Sequence, residues 1–265
     1  MRKMTLRETQ IASFEVLRQF DEICQNIGVK YFLIWGTLIG AIRHQGFIPW
    51  DDDLDIAMFP EDFEKTEQYF YEKHPDNLEL HNMKTVPECF YNISRICDKK
   101  HKLIFDNKAY TSGVFVDIYV MYGIGKADDL DYWKERFKKY PMWQKGVYAS
   151  ASRSVFIGRD TIHKILNIPF NIYSKLKGKQ YFVDKFNSFK KYDIENSDFI
   201  GCPQWETAIF KKSDFLEVVY LPFEDFKAPV PAGYDHFLRS YYGDYMTLPP
   251  TDQRKPYHGY TAYEL

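Results

Sequence analysis

Four aspartates crowd into five positions of this sequence, directly before an apolar run, and no other stretch constrains the fold as strongly. The run is Asp51-Asp52-Asp53-Leu54-Asp55-Ile56-Ala57-Met58. The spacing of Leu54, Ile56 and Met58 predicts the buried face of a short strand, because successive side chains of a strand point to opposite faces. Asp53 and Asp55 then share the other face. A sheet built on this strand must therefore accommodate converging carboxylates.

Converging carboxylates need a positive partner. At a separation of about 4 Å and an effective dielectric near 20, two like charges repel by roughly 4 kcal/mol, so the pair must share a proton, stay fully solvated or hold a cation. An acidic run is also typical of a solvated loop or a helix N-terminal cap. Here the rigid Pro49 and the bulky Trp50 directly precede the acidic run, and Asp55 lies between two apolar residues. Both features favour a metal site over a solvated loop. All-oxygen ligands predict Mg²⁺, with Mn²⁺ as the alternative.

A second apolar run carries a single charge at its centre. Residues 113–121 are rich in β-branched and aromatic side chains, which predicts a strand, and Asp117 lies in its middle. A buried aspartate must be paired or bound to a metal. Asp117 is therefore predicted to face Asp53 and Asp55 as a third carboxylate. The alternative is a structural salt bridge to a lysine or arginine.

Two further features suggest phosphate binding. The apolar run Val29–Trp35 predicts a strand, and Gly36-Thr37 separates it from a helical pattern over Leu38–His44. Backbone amides at a helix start, a small glycine and a hydroxyl donor suit a phosphate group. Arg95 lies on a predicted strand, where a guanidinium would bind an oxyanion, and the alternative is a surface salt bridge.

Composition and charge narrow the class of protein. The chain has 265 residues with 45% hydrophobic and 27% charged side chains, as in a soluble globular protein. Its net charge of -2 argues against a nucleic-acid partner, because phosphate-backbone affinity depends on a basic excess. The four cysteines form no C-x-x-C pair, and no apolar leader or membrane span is evident. These features predict a cytoplasmic protein with reduced thiols.

Several other elements follow from local pattern. Thr5 and Glu8 have capping-box spacing before a helix predicted to end at Gly28. Residues of about 127–200 predict a helix-rich insertion broken at Pro169, in which apolar residues alternate with lysines. The insertion is interpreted either as an ordinary helical subdomain with a solvated lysine face or as a peripheral contact with the inner face of a membrane.

Four motifs occur together along the chain. They are Gly36-Thr37, the stretch from Arg43 to Asp55, Gly-x-Phe-x-Asp-Ile at 113–118, and Tyr-Gly-Asp-Tyr-Met-x-Leu-Pro-Pro at 242–250. In this combination they resemble the LicD family of phosphotransferases. That family belongs to the nucleotidyltransferase superfamily and includes bacterial phosphocholine transferases and the fukutin-related proteins.

The resemblance implies an α+β fold, in which a nucleotidyltransferase-like mixed β-sheet is flanked by helices. It implies one catalytic domain over residues 1–265, with the helical insertion within it. It also implies that Asp53, Asp55 and Asp117 hold one or two Mg²⁺ ions. Asp117 would lie nearest the attacking hydroxyl, as a metal ligand or as a general base.

The donor site implied by the resemblance adds five residues. Gly36, Thr37 and Arg43 would bind donor phosphates, with Asp51 beside them, and His258 in the closing motif would contact the substrate.

For bacterial members the implied donor is CDP-choline, and the acceptor is a sugar hydroxyl of teichoic acid or another glycan, free or linked to lipid. Choline recognition would need an aromatic cage, for which Trp35, Trp50 and Tyr119 are candidates.

Three other functions stay open at this point. A nucleotidyltransferase would use the same metal geometry but leave a nucleotide on the acceptor. A related transferase would move another CDP-linked phospho-alcohol or an alditol phosphate. A non-catalytic glycan-binding protein would need the aromatic residues but not the three carboxylates.

Overall fold

The structure is a computed structural model that describes residues 1–158, 160–189, 192–204 and 207–265. Arg159, Lys190 and Lys191 of the predicted insertion lie outside the described residues. The α-helices in the described ranges are α1 (Leu6–Ile27), α2 (Trp35–His44), α3 (Pro60–Lys73), α4 (Leu130–Phe137), α5 (Tyr140–Ala151), α6 (Thr161–Leu166), α7 (Ile168–Asn187) and α8 (Tyr234–Tyr242). Short 3₁₀ helices cover Ala127–Asp129, Lys212–Phe215 and Thr251–Gln253.

The strands complete an α+β fold, as the sequence predicts. They are β1 (Arg2–Lys3), β2 (Phe32–Leu33), β3 (Asp55–Met58), β4 (Leu78–His81), β5 (Ser94–Asp98), β6 (His101–Phe105), β7 (Thr111–Ser112), β8 (Phe115–Val120), β9 (Tyr122–Gly125), β10 (Phe199–Gly201), β11 (Phe210–Lys211), β12 (Val218–Phe223), β13 (Phe226–Pro231) and β14 (Tyr260–Glu264). Buried apolar side chains from Met4 to Ala262 belong to one contiguous core.

A mixed five-stranded sheet lies at the centre, in the order β2-β3-β8-β5-β4. Strands β3 and β8 are parallel, whereas the other neighbours are antiparallel. Leu54, Ile56 and Met58 are fully buried, as their alternation predicts. Strand β8 is buried along its whole length, which agrees with its continuous apolar character.

Helix α1 forms as its capping signals predict. The Thr5 hydroxyl accepts from the amide of Glu8, the Glu8 carboxylate accepts from the amide of Thr5, and Gly28 ends the helix in the left-handed conformation. Phe14 and Phe20 are buried on its inner face, whereas Ile11 is 53% exposed.

The predicted strand at residues 29–35 is wrong in extent. Only Phe32–Leu33 pair as a strand, and helix α2 begins at Trp35, before Gly36 and Thr37. Trp35 has a φ of 50°, a conformation that a bulky residue rarely adopts and that marks the sharp turn from strand to helix. Gly36 and Thr37 therefore lie inside the first turn of the helix rather than in a separate loop.

The predicted helix-rich insertion corresponds to α4–α7. Helix α5 packs along α7, and Gly146 makes this possible because an added Cβ would lie only 2.2 Å from the Phe182 ring. The chain breaks at Asn167, between α6 and α7, and not at Pro169, which lies in the first turn of α7. Gly178 kinks α7 with a φ of 77°.

The C-terminal part returns to the start of the chain. Strands β12 and β13 form an antiparallel hairpin, and β14 pairs with β1 and β6. All four cysteines are buried, and no disulfide joins any of them within the described residues. None of the helices in the described ranges combines the length and apolar character that crossing a membrane requires.

Candidate active site

A row of charged side chains crosses the central sheet. Asp55 on β3 lies opposite Asp117 on β8, and Asp117 lies opposite Arg95 on β5. Residues directly opposite on neighbouring strands present their side chains on the same face. The register therefore brings two of the three predicted carboxylates together, and both are buried.

Arg95 binds Asp117 directly. Its Nε and Nη2 atoms each donate a hydrogen bond of 2.8 Å to a different carboxylate oxygen of Asp117. The guanidinium lies 4.0 Å from the ring centroid of Tyr91 and 3.8 Å from that of Phe115, so it is held between two aromatic faces. Arg95 is only 1% exposed, so the structure does not place it where a donor phosphate would bind. It forms instead the ion pair given above as the alternative, and it does so in the core rather than on the surface.

The loop before β3 places Asp51 against the start of helix α2. An added Cβ at Gly36 would lie 2.7 Å from Oδ2 of Asp51, so only glycine leaves room for this carboxylate. Gln10 of helix α1 fixes the loop, because its Nε2 donates 2.8 Å to the carbonyl of Asp51 and 3.2 Å to that of Ile48. Burial and the neighbouring charge of Asp53 raise the pKa of Asp51 to about 8.

Asp52 and His258 join the acidic loop to the C-terminal segment. His258 Nδ1 lies 2.9 Å from Oδ1 of Asp52, and the backbone amides of Tyr257 and His258 donate to the same carboxylate at 3.3 and 3.0 Å. The Nε2 atom of His258 lies 3.5 Å from Oδ2 of Asp53. Burial alone would lower the pKa of His258, but the Asp52 hydrogen bond and the Asp53 charge outweigh it and raise the pKa to about 9.

Asp51, Asp53, Asp55, Asp117 and His258 line one cavity of about 490 Å³, whereas Asp52 and Arg95 lie behind its wall and are not among the lining residues. Asp51, Asp53, Asp55 and Asp117 contribute the acids, and His258 is the basic side chain among the lining residues. The rest of the wall is largely aromatic and comprises Trp35, Tyr91, Tyr119, Tyr148, Tyr241, Tyr242 and Tyr257. An acidic centre with an aromatic wall suits a ligand that is cationic or is bound together with a cation.

The predicted phosphate-binding residues are placed differently from one another. Gly36 lines the cavity, whereas the Thr37 hydroxyl is buried and accepts a 2.9 Å hydrogen bond from the backbone amide of Asp55. Arg43 lies near the far end of α2, where Nη1 donates 2.8 Å to the carbonyl of Tyr245, and it does not line the cavity. Trp50 is also outside the lining and lies beside Arg254 instead.

Asp52 is a residue of the site that nothing in the acidic run distinguishes from its neighbours. Its position within the acidic run was the available indication that Asp52 belongs to the site. Its hydrogen-bond partner, His258, is 206 residues away in the sequence. Among the described residues, Asp52, Asp53 and His258 offer ligand atoms that lie within 4.8 Å of one another. Because His258 holds its proton up to a pH of about 9, it serves here as a cationic partner of two carboxylates.

The donor set of the cavity fits a hard divalent cation. Asp51 and Asp53 share a hydrogen bond, and burial raises the pKa of both carboxyl groups, although the His258 charge opposes the effect at Asp53. Two buried carboxyl groups in this state exchange their proton for a cation when one binds. Carboxylate oxygens are the ligands that Mg²⁺ and Mn²⁺ prefer.

The class of protein follows from the comparison with known families. A family model described as "LicD/FKTN/FKRP, nucleotidyltransferase domain" matches residues 28–161, which include the acidic run, β5 and β8. The chain is also 34% identical to the lipopolysaccharide cholinephosphotransferase LicD of Haemophilus influenzae, over the full length of both proteins. This chain therefore belongs to the LicD family, which confirms the resemblance noted in its motifs.

Shorter matches link part of the chain to a human protein and to a second bacterial protein. The human protein named ribitol 5-phosphate transferase FKRP is 41% identical over 54 residues, which is 20% of this chain and 11% of the human protein. The uncharacterized protein RP689 of Rickettsia prowazekii is 42% identical over 52 residues, 20% of each chain.

Proposed function

We propose that this protein transfers phosphocholine from CDP-choline to a sugar hydroxyl of a cell-surface glycan, with release of CMP. The acceptor class includes teichoic acid and other glycans, free or lipid-linked. The observation that carries the proposal is the full-length similarity to a lipopolysaccharide cholinephosphotransferase, together with a cavity that combines four carboxylates with seven aromatic side chains.

Asp53, Asp55 and Asp117 would hold one or two Mg²⁺ ions, with Mn²⁺ as the alternative. A bound divalent ion would neutralise the diphosphate and stabilise charge on the transferring phosphoryl group. Arg95 occupies one acceptor position on each oxygen of Asp117, and a carboxylate oxygen has two. Asp117 thus keeps acceptor capacity for a cation or for the proton of the attacking hydroxyl.

The remaining lining groups would bind the donor. His258 carries a positive charge at neutral pH and lies on the cavity wall, where it would contact a phosphate oxygen. Gly36 lies on the cavity wall at the start of α2, where the helix N-terminus favours negative charge.

The aromatic wall would receive the trimethylammonium group. Trp35 and Tyr119, predicted for this purpose, line the cavity with ring centroids 5.9 Å apart, and Tyr241 lies 4.8 Å from Trp35. Quaternary ammonium groups bind against such aromatic faces. A donor whose head group lacks the methyl groups is expected to bind less tightly.

Release of CMP from a panel of CDP-linked donors tests the proposal. The wild type should release CMP from CDP-choline in the presence of Mg²⁺ and a glycan acceptor, and chelation should stop the reaction. Asp53→Asn and Asp55→Asn should each lower kcat by about 10² or more, because each removes a carboxylate that would hold the metal ion. Asp131→Asn is the matched control, since its side chain is 92% exposed and outside the cavity. Unchanged turnover and Mg²⁺ dependence in both site variants would refute the assignment.

Transfer of an alditol phosphate is the second candidate function. It is favoured by the local identity to a protein named for ribitol 5-phosphate transfer. The same panel separates the two functions, because it compares CMP release from CDP-choline and from CDP-ribitol. The aromatic wall favours the quaternary ammonium group of choline and not the uncharged ribitol. Mass analysis of the product excludes nucleotidyl transfer if the acceptor gains the phospho-alcohol and not the nucleotide.

A further inference from the structure

Helix α6 and the first half of helix α7 expose a concentration of large apolar side chains. Of the 21 exposed large hydrophobic residues in the described part of the chain, seven lie within residues 156–176. They are Phe156, Ile162, Ile165, Leu166, Ile172, Tyr173 and Leu176. Leu176 is 83% exposed and Leu166 is 69% exposed. Such a patch marks an interaction surface more often than chance exposure does.

The burial pattern of α7 is inverted in its first half. The buried residues there are polar, Asn171 and Ser174, whereas Ile172, Tyr173 and Leu176 face outward. Asn171 Nδ2 donates 2.8 Å to the carbonyl of Val155, which satisfies the buried amide. A helix that merely packs on its own core would bury the apolar side chains instead. For this half of the helix, the burial pattern therefore favours the second interpretation of the insertion, a surface that contacts a partner, over an ordinary subdomain.

The kink at Gly178 separates this half from an ordinary one. Beyond the kink, Phe182, Val183 and Phe186 are buried against the protein. Helix α6, on the other side of Asn167, has no buried residue at all. The outward apolar character thus belongs to one continuous segment, residues 161–177.

The same segment and its flanks are strongly basic. Residues 152–179 contain six lysines and arginines against one acid, Asp160, in a chain whose net charge is -2. Lys164 and Lys177 alternate with the exposed apolar side chains, whereas Lys175 donates to the backbone carbonyl of Ser152. Asp160 is engaged by His163 at 2.8 Å. A lysine can extend its charge to the level of lipid headgroups while its stem covers apolar surface.

We propose that residues 161–177 dock on the surface of a lipid bilayer that contains anionic headgroups. The apolar side chains enter the boundary between headgroups and acyl chains, and the lysines bind the negative headgroup layer. A protein partner or a second copy of the chain would satisfy the apolar side chains but would not by itself require this basic excess.

Docking by this segment would bring the bilayer close to the cavity. Helix α7 packs on α5, and α5 supplies Gln144 and Tyr148 to the cavity wall. The surface segment is therefore one helix removed from the proposed site of transfer. An acceptor carried on a lipid would then be presented beside that site, whichever phospho-alcohol is transferred.

Vesicle flotation with the full-length protein tests the proposal. The wild type should float with vesicles of phosphatidylcholine and phosphatidylglycerol at low salt, and much less with phosphatidylcholine alone. The double variant Ile165→Glu/Leu176→Glu should bind about 10²-fold more weakly, because each apolar side chain withdrawn from water contributes about ten-fold or more. Lys164→Gln and Lys177→Gln should each weaken binding about five-fold, and only on anionic vesicles.

Leu216→Glu is the matched control, because Leu216 is equally exposed at 65% and lies outside the segment. It should float like the wild type. Equal flotation of the double variant and the wild type, or no flotation of the wild type, would overturn the proposal. A wild-type dimer in light scattering that the double variant abolishes, without vesicle binding, would instead assign the surface to contact between two copies. Circular dichroism of each variant separates these outcomes from a failure to fold.

Discussion

Replacing Arg95 by glutamine should strongly destabilise the protein in the absence of divalent metal. The variant leaves the buried carboxylate of Asp117, which is 3% exposed, without the guanidinium that now donates two 2.8 Å hydrogen bonds to it. Breaking a buried ion pair on one side costs about 3–5 kcal/mol, because an uncompensated charge stays in the core. Loss of the contacts with the Tyr91 and Phe115 rings adds about 1 kcal/mol.

The double variant Arg95→Gln/Asp117→Asn separates the ion pair from the packing around it. It removes both charges and should cost less than the sum of the two single variants by about 2–3 kcal/mol. Arg95→Lys keeps the charge but cannot form the two-pronged contact, so its cost should fall between those of the wild type and Arg95→Gln.

Urea unfolding in the presence of chelator, followed by tryptophan fluorescence, measures these differences in free energy. Added Mg²⁺ should restore part of the stability lost in Arg95→Gln, because a cation can take over the charge of Asp117. The reasoning would be refuted if Arg95→Gln cost less than about 1 kcal/mol, or if the two single variants were additive. Either result would mean that Asp117 is solvated or neutral without Arg95.

Three further predictions concern the site loop and the first helix. Asp51 has a pKa raised to about 8, against about 4 in an unfolded chain, so the folded state binds its proton more tightly. Metal-free protein should therefore lose stability as pH rises from about 4 to about 8 and change little above that, and the thermal stabilisation by Mg²⁺ should grow over the same range. Gly36→Ala should lower kcat/KM but leave the melting temperature nearly unchanged. The added Cβ would lie 2.7 Å from Oδ2 of Asp51 and displace this carboxylate, whereas alanine favours the helix. Thr5→Ala should cost about 1 kcal/mol in urea unfolding, through loss of the capping box with Glu8, and serine at position 5 should restore it.

The sequence predicted those elements whose formation depends on residues close together in the chain. The alternation of Leu54, Ile56 and Met58 placed a buried strand, and the capping box placed the start of helix α1. The neighbouring position of Asp117 also followed, because a charge inside a buried strand must meet a partner. The extent of β2 did not follow, since a short apolar run does not show where a strand gives way to a helix.

Contacts between distant residues were outside the reach of the sequence. Arg95 meets Asp117 only because β5 pairs with β8 in one particular register, and strand order cannot be deduced from spacing. His258 meets Asp52 across 206 residues. The two interpretations of the insertion could not be separated for a different reason: periodicity shows that one face of a helix is apolar, but not whether that face is covered.

The Arg95–Asp117 and His258–Asp52 contacts determine which carboxylates of the site keep an uncompensated negative charge. Arg95 compensates Asp117 and His258 compensates Asp52, so the carboxylates left to one another are chiefly Asp51 and Asp53, which share a hydrogen bond. A cavity in this state would repel a pyrophosphate, because it adds negative charge to negative charge. Binding such a donor requires positive charge to enter with it, and the protein supplies oxygen ligands for a cation rather than more lysines and arginines. The excess of acids over bases in the cavity therefore supports the proposed divalent metal, and titration of the metal-free protein with the donor alone should show no binding.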